Sequence, residues 1–234
     1  MPNNVWTATS MNQNNLRTFG LSFPNKFDYP EFYALGKISN KSQEEIERRK
    51  KLLKSIIDIS DAYKQFKKID GEHIPHTLYG HSIDKNIDFP NFCRTLDGFL
   101  LISEKSANIL KKFNLGETKF YPVSFFDLDL NEPINDKTYY FLNIAESRNY
   151  LKPEFCSKDL EEEPFTENLY GLHYSEYNNN AIAISEQATE CDLDLWHDPE
   201  LIYSIFMSDE LKKALDDAGI QDDWFLYTCK IINK

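Results

Sequence analysis

The sequence predicts an α+β fold in which two related strand–helix–strand units share a mixed sheet, preceded by a long N-terminal helix. Three observations predict it. One block of text is spelled twice, as "LLISEKSANILKKFNL" (Leu100 to Leu115) and "IFMSDELKKALDDAGI" (Ile205 to Ile220). Upstream, a helix-capping spacing opens a long apolar stripe. Between and after the two blocks lie short apolar runs of strand length. The 234 residues suit one compact domain. Within it, 1–98 forms an arm, the long helix and a loop, and 99–234 holds the duplicated α+β region.

In chain order, residues 1–35 are rich in Asn, Phe and Pro and lack clear periodicity. They read as an extended arm with a short strand at Phe32–Leu35. Ser42 and Glu45 then stand at the S-x-x-E capping-box spacing. Leu52, Ile56, Ile59, Tyr63 and Phe66 follow at steps of three and four, with Leu53 and Ile57 beside them. That stripe, opposed by the charged "ERRKK", predicts a helix over Gln43–Lys68, ended by Asp70-Gly71. Residues 70–98 carry many Pro, Gly, Asn and Asp and read as loop. After the first block, 125–138 reads as an acidic link and Thr138–Ile144 as a buried strand. Residues 152–180 read as acidic and irregular. Ala181–Ser185 reads as a short strand, and Asp192–Trp196, which alternates polar and apolar, as an edge strand.

The two blocks register at an offset of 105: Ser103 with Ser208, Glu104 with Asp209, Leu110 with Leu215, Leu115 with Ile220, Phe120 with Phe225. Each serine is an expected N-cap, its hydroxyl accepting from a helix N–H that lacks a partner. The acidic residue behind it favours the positive end of the helix dipole. Asn114 and Gly219 fall just past the helix, where a left-handed residue closes it. The exit strands are "TKFYPV" (Thr118–Val123) and "DWFLYTCKII" (Asp223–Ile232). This pattern speaks to architecture and contains nothing catalytic.

Charge is unevenly spread. The net charge is −12, yet residues 151–200 alone hold 2 Lys+Arg and 13 Asp+Glu, a balance of −11. A field of that sign repels phosphate backbones and disfavours nucleic acid as a partner of this part, while it attracts a basic one; a solvated acidic surface that maintains solubility is the plainer reading of the composition. No apolar run reaches membrane-span length, and the first residues lack a secretion signal's basic start and apolar core. The four cysteines are dispersed, without CxxC, which fits reduced thiols in a cytoplasmic protein.

"LLISEKSANILKKFNLGETKFYPV", then "YYFLNI", then "DLDLWH" and "IYSIFMSDELKKALDDAGI" resemble, in order, the DUF1629 family of bacterial immunity proteins, also called Imm11-type. Residues 100–123, 138–144 and 205–220 carry the likeness, with Trp196 in the aromatic place of a family strand. The last block departs from the family pattern, with Asp222-Asp223 where a glycine is usual. The resemblance implies a cytoplasmic, non-catalytic protein that binds and neutralises an antibacterial toxin domain. Such toxins are delivered to competing bacteria by type VI secretion or as polymorphic toxins. The implied partner is a basic protein, with no cofactor, nucleic acid or membrane. Candidate partner-binding residues are the acidic Glu161, Glu162, Glu163, Asp192, Asp194, Asp222 and Asp223. Trp224 joins them as an aromatic anchor, core burial being its other reading.

Two further readings stay open beside this one. His73, His76 and His81, with Asp84 and Asp88 nearby, offer imidazoles and carboxylates that a metal-dependent hydrolase would use. Their spacing matches no established array, and Pro75 interrupts any helical presentation. A non-catalytic adaptor without a toxin partner is the other. The sequence contains no P-loop, GxGxxG or GxSxG motif.

Overall fold

A computed structural model describes residues 4–8, 30–71, 74, 76–80, 89–95, 99–164, 166–173 and 176–233. Its elements in order are β1 (Val5–Ala8), α1 (Pro30–Lys37), α2 (Gln43–Lys64), β2 (Thr77–Gly80), β3 (Phe92–Arg94), β4 (Leu100–Ser103), α3 (Glu104–Leu110) and β5 (Lys119–Asp127). There follow β6 (Glu132–Pro133), β7 (Tyr139–Asn143), β8 (Glu161–Glu162), β9 (Tyr170–Gly171), β10 (Ala183–Ser185), β11 (Leu195–Trp196), β12 (Phe206–Ser208), α4 (Asp209–Asp217), β13 (Leu226–Thr228) and β14 (Lys230–Ile232). The fold is α+β.

The two units lie in two different sheets, not in a shared one. The first belongs to a sheet of order β2-β5-β7-β4-β3, with β6 on β5; the second to a sheet of order β11-β12-β1-β13. Each nevertheless repeats one topology. β4 and β5 both run antiparallel to β7 and so parallel to each other, with β7 inserted between them. β12 and β13 flank β1 in the same way. The rows Leu101–Phe141–Tyr121 and Phe206–Thr7–Tyr227 are equivalent. The offset of 105 therefore holds through strand and helix and becomes 106 in the exit strand. The extra residue is taken up where Phe225 turns left-handed (φ 46°), outside any strand. The third strand comes from after the first unit but from before the second, so it is invisible to a search for repeated text.

Both helices are capped as their serines predict. Ser103 Oγ accepts from the Ser106 N–H and Ser208 Oγ from the Leu211 N–H, each at 3.2 Å. α4 closes in a Schellman motif: the Ile220 N–H reaches Leu215 O, the Gly219 N–H reaches Asp216 O, and Gly219 sits at φ 67°. Glycine suits that conformation because it has no Cβ. The first unit differs. Asn114 is not left-handed there; Gly116 (φ 55°) takes that backbone two residues on.

Each cap is also tied to the opposite unit. Ser208 Oγ donates to Asp194 Oδ1 (2.6 Å), and Asp194 Oδ2 accepts from the Asn114 N–H behind α3 (2.8 Å). Reciprocally, Ser103 Oγ donates to Asn91 Oδ1, and the Asn91 N–H and Nδ2 both donate to Asp223 Oδ2 behind α4. Two related units facing each other thus hold one another's helix ends. The main core collects Leu101, Ala107, Leu110, Phe141, Met207, Leu211, Leu215 and Trp224 from both sheets and both helices. A smaller cluster around Leu151, Ile182, Ile184, Trp196 and Phe206 packs on the other side of the second sheet.

Several segments depart from the sequence reading. Phe32–Leu35 belongs to helix α1, not to a strand. Pro30 opens it at a position where the missing N–H costs nothing. The arm contains β1, a central strand, and the 70–98 loop contains β2 and β3. Helix α2 has both bonds of its capping box at Ser42 and Glu45, and it stops at Lys64 where Lys68 was expected. The acidic stretch 152–180 holds the β8–β9 hairpin.

Candidate functional site

The candidate site is a cleft where three parts of the chain meet: the C-terminal end of α2, the β8–β9 hairpin, and the segment 197–203 behind β11. Its volume is about 590 Å³. Tyr63, Phe66 and Leu100 line one side, Leu169 the hairpin side, and Leu201 and Ile202 another, with Arg94 and His197 also on its surface.

The segment 197–203 is pinned from several directions. The buried Asp198 carboxylate accepts from the Tyr150, Leu151 and Glu200 N–H groups at 2.7, 2.8 and 3.0 Å. Burial raises its pKa, and those backbone bonds pull the other way. Ser204 Oγ accepts from the Asp198 N–H and donates to Asp198 O. His197 is 5% exposed, with Nδ1 bonded to Ser204 O. The hairpin is docked on the same segment, the Tyr170 N–H donating to Glu200 O and the Ile202 N–H to Tyr170 O.

Two bulky residues at the cleft hold backbones that L residues rarely adopt. Phe66 (φ 56°) closes α2 in a Schellman motif, the Lys67 N–H reaching Ala62 O and its own N–H reaching Tyr63 O. Glycine normally fills that place, and a side chain there costs roughly 1–2 kcal/mol. Its ring stacks on His197, centroids 4.3 Å apart, which offsets the strain. Tyr203 (φ 54°) is 42% exposed, and its ring covers the buried Arg94 guanidinium at 4.8 Å. Burial lowers the Arg94 pKa, with the phenols of Tyr63, Tyr203 and Tyr177 acting against it.

Burial also pushes the His197 pKa down to about 3, the bond to Ser204 opposing. The unfolded chain titrates near 6.5. Between those values the unfolded state binds one proton more than the folded state, so stability falls as pH falls through this window. The loss approaches about 1.4 kcal/mol per pH unit. Urea midpoints are expected to drop between pH 7 and pH 5, and His197→Gln is expected to flatten that slope. Parallel slopes for the two proteins would contradict a neutral buried His197.

The structure separates the sequence-predicted residues. Glu161 and Glu162 are exposed on β8, Glu163 is half-buried beside them, and the exposed Glu167 sits on the turn between β8 and β9 that walls the cleft. Glu162 accepts from the Asn168 N–H at 3.0 Å. Asp192 has 75% of its side chain exposed, 3.3 Å from Arg148. Asp222 is exposed on the 3-10 turn Gln221–Trp224. Asp194 and Asp223 are half-buried, and their oxygens serve the two cap-to-cap links. Trp224 is corrected, being fully buried and stacked on Phe92 at 4.0 Å and 7°. Of the histidine cluster, His76 is exposed, and His73, His81, Asp84 and Asp88 lie outside the described residues.

Among the described residues no three His, Cys, Asp or Glu side chains are placed to hold a metal ion. The four cysteines are free thiols, and burial raises the pKa of Cys93 and Cys229. No described helix is long and apolar enough to cross a membrane. Arg94, His197 and Tyr203 escaped the sequence reading as site residues because none sits in a local motif, and Phe66 entered it only as the end of the helix stripe; only the tertiary fold gathers them. In comparisons with known proteins, no family model and no curated protein matches the chain.

Proposed function

We propose that the protein is a cytoplasmic immunity protein of the DUF1629 (Imm11) type, which binds a cognate basic toxin domain and blocks it without chemistry of its own. The toxin would be one used in competition between bacteria, delivered by type VI secretion or as a polymorphic toxin. One observation carries this reading beyond the resemblance. The β8–β9 hairpin presents Glu161, Glu162 and Glu167 to solvent beside a largely apolar cleft. Carboxylates around an apolar hollow suit a cationic protein that sets basic residues on the rim and an apolar side chain within. Coexpression tests it. The product of the neighbouring gene is expected to be lethal alone and tolerated when this protein is present. Persistent lethality in the presence of well-folded protein would overturn the reading.

A further inference from the structure

We infer that α2 pairs with the α2 of a second copy of this chain, antiparallel and about a two-fold axis, through the face that carries Leu53 and Ile57. Exposure is the first observation. Four large hydrophobic side chains stand exposed among the described residues, and two of them, Leu53 (39%) and Ile57 (49%), are neighbours one turn apart on α2. Single exposed apolar residues are ordinary, but adjacent ones on a helix form a stripe. Ile46, Lys50, Leu53, Ile57, Asp61 and Lys64 recur at steps of three and four, the spacing along which paired helices meet. All but the half-buried Ile46 are exposed. The core takes the other side of the helix, through Ile59, Ala62 and Tyr63.

Charge identifies the occupant. With the axis midway between Leu53 and Ile57, each Leu53 meets the partner's Ile57, and each Lys50 meets the partner's Asp61. Both contacts therefore form twice. A parallel pair would instead set Lys50 against Lys50 and Asp61 against Asp61. Lys50 lies 2.9 Å from Glu47 of its own helix, but the two side chains are 66% and 57% exposed, and an ion pair so open to water is exchanged at little cost.

The rest of the chain explains why copies meet here. It stands at −12, and two such surfaces repel. Helix α2 holds six Lys and Arg against five Asp and Glu, so copies approaching along it escape much of that repulsion. The pairing also reaches the cleft. Lys64 lines it, and the same register sets the partner's Ile46 beside Lys64, so the second copy adds to the wall of each cleft. One helix per copy makes an interface below the roughly 1,200–2,000 Å² of standard complexes, so the pair forms and parts with concentration.

Sedimentation velocity of the intact chain, from micromolar to near-millimolar concentration, is the test. Expected is a concentration-dependent shift from monomer to dimer with no larger species, since a two-fold contact closes on itself. Leu53→Gln combined with Ile57→Gln is expected to weaken the dimer about 10-fold or more with unchanged far-UV circular dichroism. Lys50→Glu alone and Asp61→Lys alone are each expected to weaken it several-fold, because each turns two attractive contacts into repulsive ones. Combined in one chain, they are expected to restore it. A monomer at every concentration, species beyond the dimer, or a dimer indifferent to the glutamine variant would overturn the pairing. A charge-swapped double variant no stronger than the single ones would overturn its antiparallel register. The outcome is separate from the toxin-binding reading, since no partner protein enters the experiment.

Discussion

Trp224→Ala is expected to cost about 3–5 kcal/mol of stability, the range for emptying a buried aromatic site. In a chain of this size that lowers the melting temperature by roughly 10 °C. The indole is 0% exposed and lies flat on Phe92 of β3. It therefore joins the turn behind α4 in the second unit to the edge strand of the first sheet, and its loss opens a void between the two halves. Trp224→Phe makes the contrast. The Nε1–H meets no acceptor among the described residues, so phenylalanine keeps the stack while removing an unsatisfied donor. Its cost is expected to stay below about 1.5 kcal/mol. Urea denaturation of the three proteins checks both values. An interface anchor would behave differently, leaving stability intact and weakening only the complex.

Reversing the hairpin charge is expected to slow complex formation. The triple variant Glu161→Lys, Glu162→Lys, Glu167→Lys changes the net charge by six on residues that are exposed and lie outside the core. Steered encounters outpace neutral ones by factors of about 10 to 1,000, so association with the toxin domain is expected to slow by about 10-fold or more at low salt. Dissociation should change less, because rim charges act mainly on the encounter. The melting temperature should move little, exposed carboxylates being worth under about 1 kcal/mol each. Stopped-flow mixing with the proposed toxin partner measures the rates. An unchanged association rate would place the docking face elsewhere on the molecule.

Much of the architecture was legible from local text, and the reasons are physical. Caps, core stripes and C-terminal turns obey short-range rules, so Ser103, Ser208, Leu110, Leu215 and Gly219 announced their places. Strand β1 did not. "VWTA" is four residues among Asn and Pro, and its partners β12 and β13 lie some 200 residues away. β2 and β3 were hidden for the same reason, being three or four residues long in turn-rich text. The carboxylates show the sharper limit. Composition marked Asp192, Asp194, Asp222 and Asp223 alike as acidic surface. Only the fold distinguishes the exposed Asp192 and Asp222 from Asp194 and Asp223, which accept from the Asn114 and Asn91 N–H groups of the opposite unit, Asp194 also from the Ser208 hydroxyl. The cleft was wholly illegible, because Phe66, Arg94 and His197 come from three separate segments and owe their meeting to tertiary packing.

The salt dependence of association with the toxin domain tests the central claim most directly, that an acidic face captures a cationic protein. The screening length shrinks from roughly 30 Å at 0.01 M to about 10 Å at 0.1 M ionic strength. The account predicts an association rate that falls steeply over that range while the dissociation rate stays nearly constant. An association rate indifferent to salt would contradict it.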